Sequence, residues 1–268
     1  MKRFLVTLLA IGCVAILIIG NKHWKEKTSV SAEKVKQEVI MKDEGQAKED
    51  VKEEEKVDTE QLLKFASNWP AKAKDSYQQA LVDGQPFTIL IAGSLSLGTE
   101  DNSWSQLVKK DLEETYGDTV NVVVKTYNHT SASFLTDNKL AELIAEKPDL
   151  TLLEPFTLMN NGNVNVSVAH QHIMEIASGL ADSNANHVLV LHPTNPLYQA
   201  NYYPIQVDSL QKFAEAEAIP YLNHWTAWPD PNSEEIQDYL IGEGSETKPS
   251  EKGHQLWAEY IVDYFIAK

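Results

Sequence analysis

From Phe87 onward, short apolar runs alternate with segments of helical periodicity. Phe87 to Ala92 is apolar along its length apart from Thr88, which predicts a strand buried on both faces rather than a half-exposed one. Val120 to Thr126, Leu150 to Glu154, His187 to His192 and Ile219 to Leu222 predict four further strands. Between them, apolar positions three and four apart predict helices at about 104–116, 138–146, 166–180, 203–217 and 251–266. Ser103 followed by Gln106 reads as a capping box, Gly117 as a helix C-cap, and Ser250 after Pro249 as the last N-cap. Strictly alternating strands and helices imply a parallel sheet of about five strands in a three-layer α/β/α sandwich. Right-handed crossovers then bring the loops that follow the strands to one edge of the sheet. Those loops carry Ser94, His129, Asn160, Asn161 and His192.

The pattern breaks down before Phe87. Residues 1–20 hold Lys2 and Arg3 ahead of an apolar run from Phe4 to Gly20, the length of a short membrane anchor or a signal peptide. No small-x-small cleavage site follows, which favours an uncleaved anchor. Cys13 is the only cysteine of the chain, so residues beyond it can form neither a disulfide nor a thiolate metal site. Residues 21–60 read as a charged, flexible linker: Ser31 to Glu60 contains 11 acids and 6 lysines and too little apolar surface to order itself. Residues 61–86, with Leu62, Leu63, Phe65, Trp69 and Tyr77, predict short helices docked on the domain at 87–268. A signal anchor ahead of a soluble domain implies a single-pass membrane protein with that domain outside, or a secreted one if the anchor is removed.

Charge narrows the partners. Phe87 to Lys268 carries 25 Asp and Glu against 9 Lys and no Arg, so nucleic acid and anionic membrane surfaces are poor partners. The membrane is expected to be met through the N-terminal segment only. No P-loop, Rossmann glycine pattern or metal-ligand spacing occurs, and His170 and His172 lie on different helix faces, so no cofactor and no metal is expected.

The candidate chemistry lies in Ala92-Gly93-Ser94-Leu95-Ser96-Leu97-Gly98, directly after the first strand. This string resembles the first block of the SGNH (GDSL-type) hydrolases, and the likeness in block order runs over about 87–268. The resemblance implies an SGNH/flavodoxin-like fold and an esterase or deacetylase with Ser94 as nucleophile, its own backbone N–H helping to hold the oxyanion. The substrate class implied is a small-molecule or cell-wall glycan ester. The family's second block supplies another oxyanion donor after strand two; here Thr130 or Ser131 stands nearest it, without the usual glycine. The third block supplies an asparagine amide, and of two registers over Met159-Asn160-Asn161 the one that keeps a donor selects Asn160.

The last block departs from the pattern. Pro249, Gly253, His254 and Trp257 match it, but the Asp-x-x-His pair falls on Ser245 and Lys248. A serine hydroxyl needs a base. Lys248 serves only if desolvation strips its proton, and His129, His192 and His254 are the alternative bases, although the sequence shows no acidic partner for His129 or His192. The alternative is a catalytically impaired SGNH-fold module that binds carbohydrate or acyl groups at the cell surface.

Overall fold

The computed structural model describes residues 58–268. The expected anchor at 1–20 and nearly all of the expected linker at 21–60 lie outside the described residues. Among the described residues, no helix is long and apolar enough to cross a membrane.

The domain opens with helices α1 (Thr59–Phe65) and α2 (Ala71–Asp83), which precede strand β1 (Phe87–Gly93). Then follow α3 (Trp104–Tyr116), β2 (Val120–Thr126), α4 (Ser131–Thr136), α5 (Leu140–Ala145) and β3 (Leu150–Leu153). The chain continues through α6 (Thr157–Asn160), α7 (Val166–Ser183), β4 (Val188–Leu191) and α8 (Tyr203–Ala216). A two-residue hairpin, β5 (Leu240–Ile241) with β6 (Lys248–Pro249), leads into the last helix, α9 (Glu251–Phe265).

The main sheet is parallel in the order β2-β1-β3-β4, with Ile89 opposite both Val122 and Leu150. It has four strands rather than five. The segment expected as a fifth strand touches the sheet only at Tyr221, which bridges Leu191 in parallel. Pro220 has no N–H to donate, and the chain turns at once into a 3-10 turn at His224–Ala227.

The two faces of β1 are buried in different layers. Ile89 and Ile91 pack with Trp104, Val108, Trp257 and Ile261 of α3 and α9. Leu90 and Ala92 pack with Phe134, Leu143, Ile173 and Ile176 of α4, α5 and α7. This is the origin of the uninterrupted apolar run in the sequence. The N-terminal helices close the lower end of the first layer: Trp69 stacks on Phe87 and Tyr116, and its Nε1–H donates to the Phe265 carbonyl at 2.8 Å.

The start of α3 differs from expectation. Ser103 is its N-cap, but its hydroxyl is buried without a partner and makes no capping bond. The Trp104 N–H donates to Nδ1 of His254 instead, at 3.2 Å. An imidazole from α9 thus satisfies one of the N–H groups that a helix N-terminus leaves open.

Candidate active-site cleft

Ser94 is the first residue beyond β1 and the N-cap of a 3-10 turn at Leu95–Leu97. Its side chain folds back on that turn, where Oγ accepts from the Ser96 N–H at 3.3 Å. The residue is 1% exposed, at the floor of a cleft of about 70 Å³. Asn128, Leu158, Met159, Thr247 and Lys248 form its walls. The topology therefore brings Ser94 and Lys248 together as the block order implied. Lys248 is exposed on β6. Among the described residues, no imidazole or amine nitrogen is hydrogen-bonded to Ser94 Oγ.

The three donors expected to form an oxyanion hole are each committed elsewhere. The Ser94 N–H donates to Oε2 of Glu154 at 2.9 Å. The Ser131 N–H donates to Oδ1 of Asn160 at 2.8 Å, and Asn160 Nδ2 donates to the Pro155 carbonyl at 3.3 Å. Asn160 is thus a buried tie between α4 and the loop after β3, and the cleft beside Ser94 is lined by Leu158 and Met159 instead. The Asn160 side chain is thus engaged through its oxygen by Ser131 and through one of its two amide N–H groups by Pro155. Asn161 accepts from Gln206 Nε2 at 3.0 Å and anchors α8. The Ser131 hydroxyl pairs with Nδ1 of the half-buried His172 at 2.9 Å.

The alternative bases are also placed elsewhere. His254 caps α3, and burial lowers its pKa, with the charge of Glu100 opposing. His129 does have an acidic partner, which the sequence did not show: its Nε2 lies 3.2 Å from Oδ2 of Asp137, the residue that ends α4. His192 is fully buried between the edges of Trp104 and Trp257, and burial pushes its pKa down to about 3. Its neighbour His224 is likewise buried. It stacks on Trp257 at 4.1 Å, donates from Nε2 to the Pro193 carbonyl and accepts from Trp228 Nε1. The aromatic run 221–231 therefore serves mainly as packing; Tyr202, 78% exposed, is outside it.

The residue that sequence reasoning missed is Glu154. It stands one position past β3, is wholly buried, and accepts from Ser94 N–H, from Thr157 N–H at 2.9 Å and from the Thr194 hydroxyl. An acid ending an otherwise apolar strand, just before a proline, was the available signal.

Buried histidines make the domain acid-sensitive. Burial pushes His187 down to about 4 and His192 to about 3, against about 6.5 in the unfolded chain. Below about pH 6.5 the unfolded state binds protons that the native state refuses, so stability falls as pH drops. Each histidine costs up to about 1.4 kcal/mol per pH unit in that window. Urea unfolding at about pH 7 and about pH 5 is expected to show this loss, and His187→Asn to lessen it by one proton's worth. Equal pH slopes for the two proteins would refute the assignment.

No protein-family model and no curated protein sequence matches the chain. Solved structures do resemble it. A G-D-S-L-family lipolytic protein from Desulfitobacterium hafniense superposes with a TM-score of 0.52 at 20% identity, over 66% of this chain and 98% of its own. A GDSL-like lipase from Bacteroides thetaiotaomicron gives 0.50 at 17% identity, over 72% and 96%. A catalytic mutant of an acetylxylan esterase from Geobacillus stearothermophilus gives 0.51 at 14% identity, over 67% and 94%. The domain has the SGNH-hydrolase fold.

Proposed function

We propose that this chain is a non-hydrolytic binding module on the SGNH-hydrolase fold, which holds an acylated glycan outside the cell from a membrane tether. The observation that carries this reading is the Ser94 hydroxyl: among the described residues its one hydrogen bond comes from its own turn, and no base is hydrogen-bonded to it. A serine without a base is a weak nucleophile. With its N–H bonded to Glu154, it also lacks the donor that would stabilise a tetrahedral intermediate.

The walls of the cleft support the ligand class. Leu95, Leu158 and Met159 offer apolar contact for an acyl group, and Asn128, Thr247 and Lys248 offer polar contact for a sugar. One of the similar structures is an acetylxylan esterase by name, which is consistent with an acetylated carbohydrate. The chain enters the domain through α1 and α2, which pack on Phe87 at the start of β1, whereas Ser94 follows the end of that strand. Seven strand residues separate these ends by roughly 20 Å.

A second reading, ester hydrolysis by Ser94 with Lys248 as base, is favoured by the shared cleft of these two residues. One titration separates the two. Amide spectra of the domain are followed as an O-acetylated N-acetylglucosamine oligomer is added, and the sugar is recovered afterwards. The expected result is shifts at Leu95, Asn128 and Lys248 with the acetyl group intact. Absence of any shift would reject the binding role, and acetate release above that of Ser94→Ala would establish the hydrolase instead.

A further inference from the structure

We propose that the Glu154 carboxylate is an internal ligand: it permanently fills the anion-binding position beside Ser94, so the cleft receives neutral acyl or hydroxyl groups and refuses oxyanions. This deepens the binding role proposed above and rests on it only for the identity of the external ligand. Three donors from three separate loops converge on the carboxylate. They are the Ser94 N–H after β1, the Thr157 N–H after β3 and the Thr194 hydroxyl after β4. Hydrogen bonds to an ionised acceptor are the strong ones, and the group is wholly buried, so its release into solvent would leave three buried donors unpaired.

Gly93 makes this arrangement possible. A Cβ at position 93 would lie 2.7 Å from Glu154 Cβ, 3.0 Å from the Glu154 carbonyl oxygen and 2.6 Å from Leu97 Cδ1. Only a residue without a side chain lets Glu154 close on the end of β1. Glycine at 93 and a carboxylate on the Ser94 N–H are therefore one device. The Glu154 charge reaches the buried Tyr203 hydroxyl, whose pKa is raised chiefly by burial and, secondarily, by that charge.

The test removes the carboxylate and returns it as a free ion. Glu154→Ala is expected to lower Tm by on the order of 10 °C. Sodium acetate should restore part of that loss saturably, while sodium chloride at equal ionic strength does not. Wild type, its position already filled, should show no acetate-dependent shift of Tm or of the Ser94 amide resonance. If Glu154→Ala does not fold, Glu154→Gln carries the test: its single acceptor oxygen is held by the two donors that meet Oε1, Thr157 N–H and the Thr194 hydroxyl, which leaves the NH2 group, unable to accept, against the Ser94 N–H. Hydrogen exchange at the Ser94 amide should then be faster than in wild type by about tenfold or more, one lost hydrogen bond's worth. The proposal is overturned if acetate acts alike on wild type and Glu154→Ala, if it rescues neither, or if Ser94 exchange is the same in Glu154→Gln and wild type. None of these readouts involves a glycan or an esterase assay, so their failure is distinct from failure of the binding role.

Discussion

Gly93→Asp, which writes the family's own Gly-Asp-Ser letters more closely into this chain, is expected to destabilise the domain by about 4 kcal/mol and to lower Tm by roughly 10 °C. The reason is steric first. A Cβ at position 93 meets Leu97 Cδ1 at 2.6 Å and Glu154 Cβ at 2.7 Å. The leucine methyl can swing away, but Glu154 is fixed by three hydrogen bonds and its carbonyl is backbone. Overpacking of this kind costs about 1–3 kcal/mol, and a second carboxylate next to a buried one adds a repulsive charge that nothing neutralises. The check is a double-mutant cycle by urea unfolding. Glu154→Gly removes one colliding carbon and the existing charge, so Gly93→Asp should cost at least about 1 kcal/mol less in that background. Strict additivity of the two changes would show that positions 93 and 154 are not coupled.

Much of the fold was legible because it rests on local periodicity. β1 and β2 have the lengths their β-branched, apolar runs imply, and α3 runs from Trp104 to Tyr116 because Gly117, at φ 56°, ends it. Ser250 caps α9 as its position suggested, accepting from Gly253 N–H. What the sequence hid depends on contacts distant along the chain. α4 is six residues long, held by a capping box between Thr130 and Ser133, too short to show helical periodicity. The expected cap at Ser103 loses to an imidazole 150 residues away.

At the site, the edge of the sheet followed from strand order, and the pairing of Ser94 with Lys248 in one cleft from the block order of the resemblance. The direction of each hydrogen bond did not. Asn160 has the right residue type at nearly the right place, yet its amide faces Ser131 and Pro155. Glu154 carries no motif, and its partners lie 60, 3 and 40 positions away. Composition and spacing register neither fact, because both arise only when three loops meet.

In the proposed binding role Ser94 marks the cleft and is not a nucleophile, and a fluorophosphonate tests that claim most directly. Such reagents phosphonylate serines whose hydroxyl is deprotonated by a neighbouring base, and disabling a serine–base pair costs on the order of 10⁶ in rate. The domain at residues 58–268 is incubated with the probe across about pH 6 to 10, a range that includes the onset of lysine deprotonation, and the adduct is located by mass spectrometry. The predicted result is no adduct on Ser94 at any pH, with wild type and Ser94→Ala indistinguishable. An adduct on Ser94 in wild type that disappears in Lys248→Ala would contradict the account and make this chain a serine–lysine ester hydrolase.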